Sequence, residues 1–167
     1  MTSLRIFGTV DDSIVDGPGI RFSIFTQGCW HECPGCHNPE AQPFEGGFEV
    51  TVAELKAQIE ANPLLAGITL TGGEPFEQPE PLLEFTRWAK ERGLNVWAYS
   101  GYLFEELLAG TPSAKARELL AETDVLVDGL YLEAQASRDL KWRGSSNQRI
   151  IDVPASLAAG KEIELHT

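Results

Sequence analysis

The sequence predicts an α/β protein whose parallel strands form a partial, open barrel of five or six βα units. Three observations carry this expectation. Short runs rich in β-branched and aromatic residues alternate with segments of helical periodicity, which is the pattern of right-handed βαβ units building a parallel sheet. Glycine-rich or otherwise unusual loops stand at the ends of successive runs. The chain has 167 residues, whereas a closed eight-unit barrel typically takes about 250. One domain spanning 1–167 is therefore expected, with its barrel left unclosed.

In chain order, a short N-terminal segment leads to Ile20 to Thr26 (IRFSIFT), whose composition is that of a strand. Thr51 and Glu54 form a capping-box pattern ahead of Leu55 and Ile59, so a helix is expected there, ending near Asn62-Pro63. Gly67 to Thr71 (GITLT) is a second buried strand that stops at Gly72-Gly73. Pro79 and Pro81 open a helix in which Leu82, Phe85, Trp88 and Ala89 share one face, with Gly93 as its C-terminal cap. Trp88 and, on the next strand, Trp97 fit ordinary core positions. That third strand is Asn95 to Tyr99 (NVWAY), closed by Ser100-Gly101. One or two helices follow between Tyr102 and Glu122, interrupted at Gly110-Thr111-Pro112, before a fourth strand at Asp124 to Val127. A weaker helix is expected over Glu133 to Leu140 and a fifth strand over Gln148 to Val153. Pro154 then opens a last short helix, and Lys161 to His166 reads as a final strand.

Composition removes whole classes of function. A formal net charge of −12 leaves no surplus of cations for a phosphate backbone, so a nucleic-acid binder is not expected. The N-terminal residues lack the apolar run of a signal peptide, and the longest apolar stretch, around Leu64 to Leu70, is far too short to span a bilayer. A cytoplasmic protein with no membrane association is the expectation. All three cysteines fall between positions 29 and 36, which suits metal ligation in a reducing compartment better than a disulfide framework.

In parallel α/β folds the C-terminal strand ends share one face, and ligands bind there. On that face the sequence sets the cysteine loop, Thr71-Gly72-Gly73-Glu74-Pro75, Tyr99-Ser100-Gly101-Tyr102 and Asp128-Gly129. Cys29, Cys33 and Cys36 offer three soft thiolates in one loop, suited to three irons of a 4Fe-4S cube or to part of a zinc site. Three ligands leave one iron of a cube open to bind and activate a further ligand, as catalytic metal sites do. The plainer alternative is a non-catalytic Cys3His zinc module closed by His31 or His37, although a histidine inside the loop or next to Cys36 makes tetrahedral closure awkward. Gly72 and Gly73 would let a ligand approach the backbone, while Glu74 supplies a carboxylate for an ammonium group.

The combination of CxxxCxxC with Gly72-Gly73-Glu74-Pro75 resembles the radical S-adenosylmethionine enzymes. Asp16-Gly17-Pro18-Gly19-Ile20-Arg21, Cys36-His37-Asn38-Pro39-Glu40, Tyr99-Ser100-Gly101-Tyr102, Asp124 to Gly129 and Arg143 to Asp152 are similar, more narrowly, to the activating proteins of anaerobic ribonucleoside-triphosphate reductase. The likeness spans nearly the whole chain.

The resemblance implies the radical S-adenosylmethionine barrel, a 4Fe-4S cluster held by Cys29, Cys33 and Cys36, and S-adenosylmethionine as cosubstrate. It further implies a one-electron donor such as flavodoxin or ferredoxin, and the large reductase subunit as partner. The reduced cluster would split the sulfonium, and the 5′-deoxyadenosyl radical would take a hydrogen atom from a backbone glycine of that subunit. Gly72, Gly73, Glu74 and Pro75 would face the methionine amine, Tyr99 and Ser100 the ribose, and Arg143 or Asn147 other polar groups. For Tyr99 a packing role at the strand end is an equal alternative. Many enzymes of this class carry an aromatic residue just before the third cysteine, where this chain has Gly35, so the motif leaves the adenine contact unassigned. Trp30 suits either shielding of the metal or a partner-binding surface. Another glycyl-radical enzyme, such as pyruvate formate-lyase, is the alternative target.

Overall fold

The computed structural model describes residues 2–36 and 38–165. Seven strands form one sheet in the order β3-β1-β2-β4-β5-β6-β7. They are β1 (Ser3–Ser13), β2 (Arg21–Thr26), β3 (Phe48–Thr51), β4 (Gly67–Gly72), β5 (Asn95–Ser100), β6 (Val125–Asp128) and β7 (Arg149–Asp152). The helices are α1 (Val52–Glu60), α2 (Pro79–Glu91), α3 (Phe104–Leu108), α4 (Ala114–Ala121) and α5 (Val153–Ala159). The architecture is mixed α/β. No helix among the described residues is long and apolar enough to cross a membrane.

Local chemistry explains most boundaries. Thr51 Oγ1 accepts from the Glu54 amide at 3.1 Å and so starts α1. Pro79 stands in the first turn of α2, where no intrahelical amide is needed, and Gly93 follows its end at φ +80°. Ser113 and Asp152 cap α4 and α5 by accepting from Ala116 and Ala155 amides. The region from Tyr102 to Glu122 contains two helices, parted at Gly110-Thr111-Pro112 as expected.

Several sequence expectations are corrected. The short N-terminal segment is an eleven-residue strand, β1, antiparallel to both β2 and β3. Its register shifts between Ile6 and Gly8 and between Val10 and Ser13, which breaks the alternation that would have marked it as a strand. Only β2, β4, β5 and β6 run parallel, so the parallel part has four strands rather than five or six.

The weaker helix over Glu133 to Leu140 is a single 3₁₀ turn at Glu133–Gln135. Nearby backbone groups pair instead across an Ala136–Ser145 bridge. With no crossover helix to carry the chain back, β7 returns antiparallel to β6. The segment from Lys161 joins β7 through an isolated bridge between Glu164 and Ile151 rather than as a strand, and His166 lies outside the described residues.

The two faces of the sheet differ. Phe22, Ile24, Ile68, Leu70, Val96, Ala98 and Leu126 pack with Leu55, Leu82, Phe85 and Leu119 in the main core, beneath the helices. The alternate residues Trp97, Val125, Val127 and Ile150 form a second cluster with Tyr99 and Trp142, the latter from the return between β6 and β7. That return, together with the turn between β1 and β2, walls the helix-free side. Trp97 is buried as expected, whereas Trp88 is half-buried with the Arg92 guanidinium 4.3 Å from its ring.

Candidate cluster and cosubstrate site

A cavity of about 430 Å³ opens on the helix-free side, at the C-terminal ends of the parallel strands. Cys29, Cys33 and Cys36 line one wall, Gly72 and Gly73 another, and Tyr99, Ser100 and Gly101 a third. Arg143 and Trp142 reach it from the return between β6 and β7, and Asp16 from the β1–β2 turn. The loops expected to converge thus do so, with one exception. Asp128 is fully buried away from the cavity, where it accepts from the Phe104 amide at 2.7 Å and from Arg149.

The cysteines are free and partly buried. Burial, together with the charges of Glu74 and the other cysteines, pushes the Cys29 thiol up to about 11, against a lowering hydrogen bond from the His31 backbone amide. Cys33 is also raised, chiefly by burial, and the Tyr131 backbone N–H opposes the shift. Both sulfurs therefore sit in half-dry surroundings. Three thiols free of disulfides around one cavity fit the donor set of an iron–sulfur cube.

Glycine is required at the neighbouring turn for packing. A Cβ at Gly72 would lie 2.4 Å from the Thr26 nitrogen, and Gly72 holds φ +98°. A Cβ at Gly73 would lie 2.5 Å from the Gly28 carbonyl oxygen. The Gly-Gly pair thus allows β4 to press its end against the root of the cysteine loop. That contact is sealed by two hydrogen bonds, Gly73 N to Thr26 O and Glu74 N to Gly28 O, each 2.8 Å.

Glu74 is wholly buried and richly partnered. Its Oε1 accepts from the Gly101 amide at 2.8 Å and its Oε2 from the Phe76 amide at 3.1 Å. Ser100 Oγ donates at 2.9 Å, and His31 Nε2 lies 2.8 Å from Oε1. Since its other neighbours all donate, Glu74 is the acceptor and His31 Nε2 the donor. Burial works to lower the imidazole pKa, but the bond and charge of Glu74 outweigh it, so His31 is raised. Its ring is turned to Glu74 rather than to the thiols. His37, the other histidine considered for zinc, lies outside the described residues.

The remaining expected residues divide. Tyr99 lines the cavity while its hydroxyl donates to the Trp142 carbonyl at 2.6 Å, so it packs and faces the cavity at once. Arg143 donates to the Gln148 carbonyl at 2.7 Å. Ser100 reaches the cavity edge but spends its hydroxyl on Glu74. Asn147 does not line the cavity; its amide donates to the Leu130 carbonyl at 2.8 Å. Pro75 is buried at the first turn of a 3₁₀ helix, Pro75–Glu77. Trp30 is 69% exposed and packs on Phe44. A Cβ at Gly35 would meet the Glu133 carboxylate, so Glu133 fills the space a side chain there would take.

Sequence reasoning missed Tyr131 and Trp142 in the lining, and the network behind Asp16. Arg21 does not line the cavity; it is wholly buried and donates to Thr69 Oγ1 and the Ile68 carbonyl, each at 2.8 Å. Asp16 accepts from Ser13 and Ser23, both at 2.7 Å. Burial pulls the Arg21 guanidinium down to about 10, against the charge of Asp16.

Comparison with known proteins agrees with this geometry. The family described as 4Fe-4S single cluster domain matches residues 15–151. The anaerobic ribonucleoside-triphosphate reductase-activating protein of Enterobacteria phage T4 is 36% identical over 143 residues, covering 81% of this chain and 86% of that protein. The protein of the same name from Haemophilus influenzae is 34% identical over 147 residues, covering 82% and 90%. Among solved structures, QueE from Escherichia coli overlays with a TM-score of 0.47 and 16% identity across 59% of this chain and 53% of its own, too slight a likeness to bear on the fold. With a cluster-domain match over most of its length and relatives of one name above 30% identity, the chain belongs to the family of anaerobic ribonucleoside-triphosphate reductase-activating proteins.

Proposed function

We propose that this chain is a radical S-adenosylmethionine activase of the cytoplasm that installs a glycyl radical on the large subunit of anaerobic ribonucleoside-triphosphate reductase. The observation that carries it is one cavity faced by both the three thiols and the Gly72-Gly73 turn. Cys29, Cys33 and Cys36 would hold a 4Fe-4S cluster. Bound there and reduced by flavodoxin or ferredoxin, it would give one electron to the sulfonium of S-adenosylmethionine, yielding methionine and a 5′-deoxyadenosyl radical that takes a hydrogen atom from the target glycine.

The protein's part is to bind, orient and exclude water. The methionine amine would meet the Gly72-Gly73 backbone, with the charge of Glu74 behind it. Tyr99, Ser100 and Arg143 would border the nucleoside, while Asn147 and Pro75 would support the wall from behind. In this reading the sheet is a partial, open barrel, supported by four parallel strands whose helices all cover the face opposite the cavity. An unclosed side leaves room for a glycine presented by another protein.

The test is to mix reduced, cluster-loaded protein with S-adenosylmethionine and the intact reductase, and to record the electron paramagnetic resonance spectrum. A glycyl radical signal is expected on the reductase. Its absence, with both proteins intact, rules the proposal out.

A further inference from the structure

One residue of the cysteine loop behaves unlike its neighbours. Trp30 and Glu32 are exposed, whereas the His31 side chain between them is 14% exposed. It enters a slot whose shape is specific to it. A Cβ on Gly101 would lie 2.4 Å from its Cδ2 and 2.6 Å from its Nε2, so only glycine at 101 leaves room for the ring. The Tyr102 ring meets it edge-on with centroids 4.6 Å apart, and the Tyr102 hydroxyl is itself tied to Glu77. At the bottom of the slot, Nε2 meets Glu74 Oε1 at 2.8 Å.

The same residue sits inside the ligand loop, two positions after Cys29 and two before Cys33. His31 therefore joins the loop that carries the thiols to the buried carboxylate under the Gly72-Gly73 turn, across 43 residues of sequence. Hydrogen bonding and solvent exposure around the sulfurs set the potential and orientation of such a cluster. The course of the loop, which decides both, depends on where the His31 side chain is anchored.

We propose that His31 is a positioning residue: its side chain, locked on Glu74, holds the cysteine loop against the Gly72-Gly73 turn and so fixes the cluster relative to the cosubstrate. This rests on the function proposed above and adds a role that neither the cysteine motif nor the Gly-Gly-Glu motif contains. It does not require His31 to touch iron or S-adenosylmethionine. The slot belongs to the chain itself, since Gly101, Tyr102 and Glu74 come from two strand ends, β4 and β5, that the sheet brings together.

The test uses the full chain, cluster-loaded without oxygen, as His31→Ala, His31→Gln and Gly101→Ala. Iron content, the midpoint potential of the cluster, its electron paramagnetic resonance spectrum and S-adenosylmethionine affinity are measured on each. The unaltered protein must first show that S-adenosylmethionine perturbs the cluster spectrum; failure there sinks the proposed function itself. Given that response, His31→Ala should keep its iron, shift the potential and weaken S-adenosylmethionine binding by about tenfold or more, the scale of loss for outer partners of a metal ligand.

Gly101→Ala, which expels the ring without removing it, should show the same signature. It also serves if His31→Ala takes up no iron. His31→Gln, whose amide can still donate to Glu74, should recover most of the potential and affinity. Parent-like spectra and affinity in both alanine variants would overturn the role, as would a glutamine variant no better than alanine.

Discussion

Glu74 shows how much of the site a motif can reveal and where it stops. The sequence presents it as a carboxylate beside two glycines, which was enough to place it at a strand end near the cysteines. Its partners Ser100, Gly101 and His31 are 26, 27 and 43 residues distant and none lies in the same motif, so its saturation was not legible. Glu74→Gln would set an amide NH2 among groups that all donate. We predict a loss of about 1.5–3 kcal/mol in stability, the scale for a hydrogen-bonded charged group, together with weaker S-adenosylmethionine binding. Urea unfolding and a binding titration check it, and unchanged values would refute it. The glycines separate similarly. Gly72→Ala faces both a positive φ and a Cβ 2.4 Å from backbone, whereas Gly93→Ala, at φ +80°, meets nothing within 4 Å. Gly93→Ala should cost about 1–2 kcal/mol for the left-handed backbone alone. Gly72→Ala should cost clearly more in the same unfolding assay, and equal costs would contradict the close approach of β4 to β2.

At the scale of elements, the central strands and the helices over them were legible because their periodicities are regular and their caps are local. β1 was not, since two register shifts scramble its alternation, and the direction of β7 was not, because strand polarity depends on whether a crossover helix forms. That direction places Arg149 beside Asp128, with contacts of 3.0 and 2.5 Å, and against Glu105 at 3.0 and 2.8 Å. The cluster clips β7 and α3 to the end of β6. Asp128 is wholly buried, so Arg149→Ala would strand its charge and should destabilise by about 3–5 kcal/mol. A conservative Arg149→Lys should regain only part of this, because one ammonium cannot bridge two carboxylates with the geometry of a guanidinium fork. Denaturant midpoints of the two variants decide it, and a lysine variant as stable as the parent would show that charge alone suffices. Hydrogen bonding to Arg149 holds the Glu105 carboxyl below its ordinary value, against a smaller opposing effect of burial. A lowered folded pKa gives a contribution that is present above the unfolded pKa and lost as pH falls through the folded one. Glu105→Gln should therefore flatten the decline of stability on the acid side, and an unchanged acid limb would remove this pair from the account.

At the scale of the whole molecule, the fold gathers the ends of β2, β4 and β5 on the face its helices leave uncovered, and the thiols stand beside the turn that would receive the cosubstrate. The convergence of these loops was legible from strand order alone. The covering role of Trp142, Tyr131 and Glu133 was not, because the return between β6 and β7 lacks any periodic signal. With only three thiols to hold a cube, each of Cys29→Ala, Cys33→Ala and Cys36→Ala should reduce anaerobically assayed iron well below the roughly four atoms per chain of an intact cluster. Full iron in any one would remove that residue from the ligand set. The most direct test of the central claim is label transfer. Reductase carrying glycine deuterated at Cα is treated with the reduced, cluster-loaded activase and S-adenosylmethionine, and the 5′-deoxyadenosine formed is examined by mass spectrometry. The account predicts deuterium in 5′-deoxyadenosine together with a glycyl radical on the reductase; 5′-deoxyadenosine formed without deuterium while the radical appears would contradict it.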